Sequence, residues 1–377
     1  MKSLKIAIDA SRAINEQAGI GRYTRDLIKT MIKLDQKNQY LLFFSYWRKN
    51  PRKEREIKSF QGSNVKIKTL RIPGNLKEKA WLWRIPWYGK ILEDADVFFA
   101  PSFLEVNFGL QIPQVMTIHD LTTFIWPEHR GRAVSERLSK RTKEAARKAE
   151  KIIAVSGSTA NDALKYLKVP KDKIKVIYPG LTGLPAPAKN LPQRLESKSF
   201  ILFVGTIEPR KNLVGLFKAY ALLPPPLQEK YPLAIVGAEG WNSGEIFETI
   251  KTLKLEAKIR FLGYVSDPVL AKLYESCTVF VYPSFYEGFG LPVLEALSFG
   301  AAVLTSNTSS MPEVAGQAAL LVDPEDPKSI ASGLQRLLEG KALRQLLEKE
   351  AEKQVKKFSW DKAARATIKI LEEASRG

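Results

Sequence analysis

Thirteen short runs of β-branched and aromatic residues, separated by stretches of helix length, set the limits on what this chain can fold into. In the first half they fall at 5–10, 40–45, 65–70, 96–100, 114–119, 151–155 and 173–178. In the second half they fall at 200–205, 232–237, 258–264, 278–283, 301–305 and 318–322. Several are apolar on both faces, as strands are when helices cover both sides of their sheet. A regular alternation of strand and helix implies a parallel sheet. Two such series predict an α/β protein of two Rossmann-like, doubly wound domains. The join lies at 179–193, where prolines and glycines interrupt every strand or helix pattern.

A chain of 377 residues suits two domains of ordinary size. No stretch approaches the roughly 20 unbroken apolar residues that span a bilayer. The opening MKSLKIAIDA reads as a first strand rather than a signal peptide. Cys277 is the only cysteine, which excludes an internal disulfide and a CxxC metal site. Cytosolic residence is the expectation from both. The net charge of +19 is one-sided: residues 1–190 hold 36 Lys and Arg against 18 Asp and Glu, and residues 191–377 hold 23 against 22. A basic excess confined to one half points to an anionic partner for that half, whether a membrane surface, a phosphate-linked substrate or nucleic acid.

In doubly wound sheets ligands sit beyond the carboxyl ends of the strands, so the chemistry is sought there. The strongest segment is 282–300, YPSFYEGFGLPVLEALSFG. A strand gives way to a loop with Gly288 and Gly290, and a helix opens at Leu291-Pro292, where proline is tolerated. Glu287 lies in the loop and Glu295 about one turn into the helix, so both carboxylates could accept hydrogen bonds from sugar hydroxyls. On spacing alone, a common βα turn with two surface glutamates is an equal reading. In VGTIEPRKN (204–212), Gly205 and Thr206 follow a strand, and Arg210 and Lys211 precede a helix. Paired cations beside free helical N–H groups can hold a diphosphate, though solvated basic residues in a loop would look the same. Gly19 and Gly21 of AGIGRY allow close backbone approach, and the third glycine of a dinucleotide fingerprint is missing. Arg22 either assists there or packs. His119-Asp120 ends a strand, where a histidine either faces a ligand or is a hydrogen-bonded core residue.

Taken together these segments resemble glycosyltransferase family 4, retaining enzymes of the GT-B fold. Glu287 and Glu295, with Gly288, Phe289, Gly290 and Leu291 between them, match its E-x7-E motif, and 208–212 matches its E-x-R-K-N segment. The His119-Asp120 pair is similar to that of a mannosyltransferase subgroup. The resemblance implies two domains facing a central cleft: an acceptor domain over 1–185 and a nucleotide-sugar domain over 186–358. A C-terminal helix, 359–377, is expected to return toward the first domain. It implies that Glu287 faces the donor sugar, Glu295 the ribose hydroxyls, and Arg210 and Lys211 the diphosphate. His119 then approaches the donor sugar, and Gly19, Gly21 and Arg22 face the phosphates. Backbone near Gly237, Tyr264 and Val265 lines the base pocket.

The function so implied is transfer of a hexose, mannose from GDP-mannose in that subgroup, to a glycan or lipid-linked acceptor in surface polysaccharide synthesis. The same motifs host UDP-glucose and other UDP-sugars. No metal and no cofactor is expected beyond the nucleotide sugar, since two fixed cations can stabilise the leaving diphosphate. Residues 130–151, with nine Lys and Arg against three Glu, and the Trp- and Lys-rich 77–90 fit contact with an anionic membrane surface. Tryptophan covering a core is the other reading of the second segment. A non-transferase nucleotide-sugar protein would lack the E-x7-E segment. A nucleic-acid binder would explain the charge but not the motifs, so no nucleic acid is expected as partner.

Overall fold

The computed structural model of the chain describes residues 3–16, 19–48, 50–72, 92, 94–192, 195–196 and 199–376. The aromatic and basic segment 77–90 lies outside the described residues. The chain divides into two units, Met1–Gly180 with Ser359–Gly377, and Leu181–Phe358.

The first unit holds seven strands: β1 (Lys5–Asp9), β2 (Gln39–Tyr46), β3 (Val65–Arg71), β4 (Val97–Ala100), β5 (Gln114–Ile118), β6 (Lys151–Ala154) and β7 (Ile174–Val176). They pair in the order β3-β2-β1-β4-β5-β6-β7, every pair parallel. The second unit holds six: β8 (Ile201–Val204), β9 (Leu233–Val236), β10 (Ile259–Gly263), β11 (Val279–Tyr282), β12 (Ala302–Ser306) and β13 (Ala319–Val322). Their order is β10-β9-β8-β11-β12-β13, again all parallel. All thirteen apolar runs of the sequence are strands. Central strands such as β4, β5, β11 and β12 are buried at every residue, as expected of a sheet covered on both faces.

Each sheet reverses its winding once, between β1 and β4 and between β8 and β11. At such a switch point the loops leaving the two central strands part to opposite faces and open a crevice at their carboxyl ends. In the second unit those loops are the 205–212 and 283–290 segments. The fold therefore brings together two motifs about 75 residues apart in sequence.

The C-terminal helix Trp360–Ala374 belongs to the first unit and packs on the Ile20–Leu34 helix and on β4, β5 and β6. Ser359 caps it by accepting from the Asp361 N–H at 3.2 Å. The Trp360 ring meets Tyr23 edge-on, 5.7 Å between centroids.

Candidate active site

In the second unit the loop after β8 closes as a 3-10 turn, Pro209–Lys211, followed by Asn212. Asn212 takes a left-handed conformation, φ 58°, which asparagine tolerates better than most residues. Its side chain caps the Leu213–Ala221 helix by accepting from Gly215 N–H at 3.1 Å. Its amide also donates to the carbonyls of Pro283 (3.1 Å) and Pro324 (2.7 Å). The Phe285 N–H donates to the Arg210 carbonyl at 3.0 Å. The loops after β8 and β11 are thus fixed to each other before any ligand arrives.

Four charged side chains meet where these loops join. Lys211 Nζ donates to Glu287 Oε1 at 2.6 Å and to the Tyr282 hydroxyl at 2.6 Å. Arg210 reaches Glu287 Oε2 at 2.8 Å through Nη1, which also donates to the Tyr286 carbonyl at 2.7 Å. On its other edge Arg210 donates twice to Glu208 Oε1, at 2.7 and 3.1 Å. Glu208, Lys211 and Glu287 are buried, at 2%, 7% and 8% exposure. Two cations and two carboxylates balance, which lets them all stay charged out of water. Burial alone would raise the Glu287 pKa, but Arg210 and Lys211 reverse that and hold it at about 2. Burial lowers the Lys211 pKa, and Glu287 offsets part of that loss. Both cations of the 204–212 segment are thus fixed by protein carboxylates.

The rest of the E-x7-E segment is equally built. Gly290, at φ 106°, precedes the Leu291–Ser298 helix, and a Cβ there would lie 2.3 Å from Met311 Cε. Gly288 and Phe289 are buried, and Leu291 begins the helix. Ser310 Oγ holds the turn through the carbonyls of Glu287 (2.9 Å) and Phe289 (2.8 Å). Glu295, on the second turn, is buried and accepts from the Tyr274 hydroxyl at 3.0 Å. The two glutamates are core-anchored groups and not surface residues.

Beside them the neighbouring strand ends line up. The Gly205 N–H donates to the Val236 carbonyl and the Gly237 N–H to the Gly263 carbonyl, each at 2.9 Å. Gly237 has φ 147°, and a Cβ on it would sit 2.0 Å from the Gly205 carbonyl oxygen, so only glycine fits. Thr206 is exposed, Val265 half-buried, and Tyr264 is 77% exposed just beyond β10.

The first unit presents its own cluster. His119 follows β5, and its Nε2 lies 2.8 Å from the Pro101 carbonyl oxygen. A carbonyl can only accept, so Nε2 carries the proton and the neutral ring offers its Nδ1 lone pair elsewhere. Burial lowers the His119 pKa to about 4, against the opposing effects of that bond and of Asp120. The ring meets Tyr23 edge-on at 4.7 Å. Asp120 is exposed and accepts from Thr122 N–H at 3.0 Å. Gly19 precedes the Ile20–Leu34 helix, with Gly21 buried and Arg22 half-buried in its first turn. Near these lies a group the motifs did not reveal: Arg12 pairs with Glu105 at 2.9 Å and with Glu16, and Ser102 Oγ donates to Glu105 at 2.6 Å.

In the second unit, sequence reasoning missed Glu208, Asn212, Tyr274 and Tyr282. Glu208 and Asn212 lie inside the segment already singled out and flank its two cations. Tyr282 opens the 282–300 segment and Tyr274 lies outside both segments, and neither stands out, because an aromatic residue in a strand or amphipathic helix reads as core.

Two doubly wound parallel sheets with a charged, loop-built site at a switch point define a two-domain α/β architecture with its ligand crevice at strand carboxyl ends, and comparison with known families gives it a place. Residues 18–182 match the family model described as Glycosyltransferase Family 4, and residues 189–354 match that described as Glycosyl transferases group 1. The chain belongs to glycosyltransferase family 4 and is a glycosyltransferase of the GT-B fold. It is 32% identical over 367 residues to O-antigen chain mannosyltransferase B of Escherichia coli, covering 93% of this chain and 94% of that protein. Among solved structures, sucrose-phosphate synthase from Thermosynechococcus elongatus shares the fold, with TM-score 0.76 and 20% identity over 98% of both chains. Anabaena Alr3699/HepE, solved in complex with UDP and glucose, does so with TM-score 0.74 and 20% identity over 98% of this chain and 99% of that one.

Proposed function

We propose that this glycosyltransferase is a retaining hexosyltransferase that moves mannose from GDP-mannose to a glycan or lipid-linked acceptor in surface polysaccharide synthesis. The full-length likeness to an O-antigen chain mannosyltransferase supports mannose as the sugar and a surface polysaccharide as the product. The observation that carries the chemistry is the buried Glu208–Arg210–Glu287–Lys211 network at the β8/β11 switch point.

In this reading the donor diphosphate lies against Arg210 and Lys211, and Glu287 turns toward the sugar hydroxyls. A double displacement needs a carboxylate close beneath the anomeric carbon. Both motif glutamates are committed elsewhere, so the acceptor hydroxyl attacks on the face that the diphosphate leaves. The departing phosphate takes the acceptor's proton, and the two cations stabilise the charge that develops on it. Glu208 keeps the Arg210 fork in place, and a fixed donor costs no reorganisation during reaction. In the first unit His119, neutral with its proton on Nε2, can accept a hydrogen bond from a sugar hydroxyl through Nδ1. No metal is needed where two cations already occupy the position of charge neutralisation.

The acceptor side lies on the first unit, which touches an anionic leaflet. Its Arg132–Lys148 helix exposes Arg132, Arg137, Lys140, Lys143 and Arg147 on one side and buries Arg141, Thr142, Ala145 and Ala146 on the other. No helix of the described residues is long and apolar enough to cross a membrane. A panel of GDP-mannose, UDP-glucose and UDP-N-acetylglucosamine, scored for slow donor hydrolysis, tests the donor. Consumption of GDP-mannose alone is expected; preference for a UDP-sugar would overturn the mannosyl reading and leave the transferase intact.

A further inference from the structure

An aromatic column runs through the second unit behind its charged site. The ring of Phe203 on β8 stacks on Tyr282 of β11 at 5.7 Å, and Tyr282 stacks on Phe280 of the same strand at 6.0 Å. Phe280 meets Tyr274 of the Asp267–Ser276 helix at 5.5 Å, and Tyr274 stacks on Phe299 at 5.9 Å. Of these five rings, Phe203, Tyr274, Phe280 and Tyr282 are buried. Only two of the five carry a hydroxyl, and each hydroxyl ends on a different motif glutamate. Tyr274 donates to Glu295 Oε2 at 3.0 Å. The Tyr282 hydroxyl accepts from Lys211 at 2.6 Å and donates to Glu287 Oε1 at 3.1 Å.

We infer that Tyr274 and Tyr282 are positioning residues, Tyr274 setting Glu295 toward a donor ribose and Tyr282 setting the Lys211–Glu287 pair toward the diphosphate and sugar. The inference rests on the donor reading above and assigns to each half of the donor its own anchor. A glutamate has three side-chain torsions, and a buried one without a fixed partner has no defined direction. A hydroxyl on a rigid ring, wedged between other rings, supplies that direction at one carboxylate oxygen. The Tyr282 hydroxyl does the same for a cation and a carboxylate together. It donates one bond and accepts another, which a phenyl ring cannot reproduce.

Replacing either tyrosine by phenylalanine keeps the column and removes only the hydroxyl. The test is calorimetric titration of GDP and UDP, each against its 2′,3′-dideoxy form. Wild type is expected to bind one of the two nucleotides and to lose about tenfold in affinity when the ribose hydroxyls are removed. Tyr274→Phe should weaken the ribonucleotide and leave the dideoxy form unchanged, shrinking that ratio to about twofold. Tyr282→Phe should preserve the ratio while slowing donor turnover by about tenfold. A core loosened without specific effect would weaken both nucleotides alike. Equal losses in Tyr274→Phe, or collapse of the ratio in Tyr282→Phe, would overturn the inference. Glu295→Gln gives a second route: it should collapse the ratio itself, and adding Tyr274→Phe should then change it no further. If wild type bound neither nucleotide, the donor reading itself would fail; if it bound one without sensing the ribose hydroxyls, only the Tyr274 assignment would.

Discussion

The two units handle charge in opposite ways. The first contains nearly the whole basic excess of the chain, and the Arg12 that follows its first strand is paired with two carboxylates, Glu16 and Glu105. Many of its other lysines and arginines are exposed on outer faces, such as Arg132, Arg137, Lys140, Lys143 and Arg147 of the Arg132–Lys148 helix. The second unit is almost neutral overall, yet it gathers Glu208, Arg210, Lys211 and Glu287 into one buried network at its switch point. A count of charges therefore says little about chemistry. Chemistry is located by where the fold buries charge and keeps it paired.

The largest effect that would sharpen this contrast is expected inside the network. Arg210→Ala and Lys211→Ala should each lower transfer by about 10²-fold or more, as removal of a donor to a developing oxyanion does. Product formation from the preferred donor checks this, and near-normal rates in both would break the assignment. Lys211→Ala also leaves Glu287 one cation short in a buried site, so unfolding in urea should show a loss of about 3 kcal/mol.

A pH effect follows from the same contacts. Burial lowers the Lys211 pKa and Glu287 raises it. Glu287→Gln removes the raising partner, so the loss of nucleotide binding at high pH should begin at a lower pH than in wild type. An unchanged alkaline limb would show that Lys211 does not meet the ligand. In the first unit the half-buried, neutral His119 gives a different sign. Its folded pKa of about 4 lies below the ordinary value of 6.5, so the unfolded chain binds more protons between those values. The contribution is fully present above about 6.5 and is lost as pH falls toward 4. Urea unfolding of His119→Asn should show a shallower acid loss than wild type over that window.

The smallest effect on catalysis is expected at the outer face. Charge reversal at Arg137, Lys140 and Arg147 should reduce sedimentation with anionic vesicles at low salt while leaving donor hydrolysis unchanged. Vesicle binding equal to wild type would remove this face as the membrane contact.

The sheets were readable because strands buried on both sides must be apolar throughout, and that signature survives in a single sequence. The motif glutamates and the Arg210-Lys211 pair were readable because βα loops at carboxyl ends leave polar residues next to apolar runs. What could not be read was pairing across sequence distance. Nothing near Lys211 predicts that Glu287 and Tyr282 meet its amine, and nothing near Glu295 predicts Tyr274. Those contacts arise from strand order, which places β8 beside β11, and from helix packing behind the sheet. For the same reason the pairing of Arg12 with Glu105, 93 residues apart, leaves no local sequence signal.

The claim beneath all of this is that the paired cations of the second unit serve a diphosphate. Titration of GDP and GMP against wild type and Lys211→Met tests it most directly. The account predicts that wild type binds GDP at least tenfold more tightly than GMP, since charge-assisted bonds to the second phosphate are strong ones, and that Lys211→Met abolishes most of that difference. Equal affinity of wild type for the two nucleotides, or a difference that survives the substitution, would contradict it.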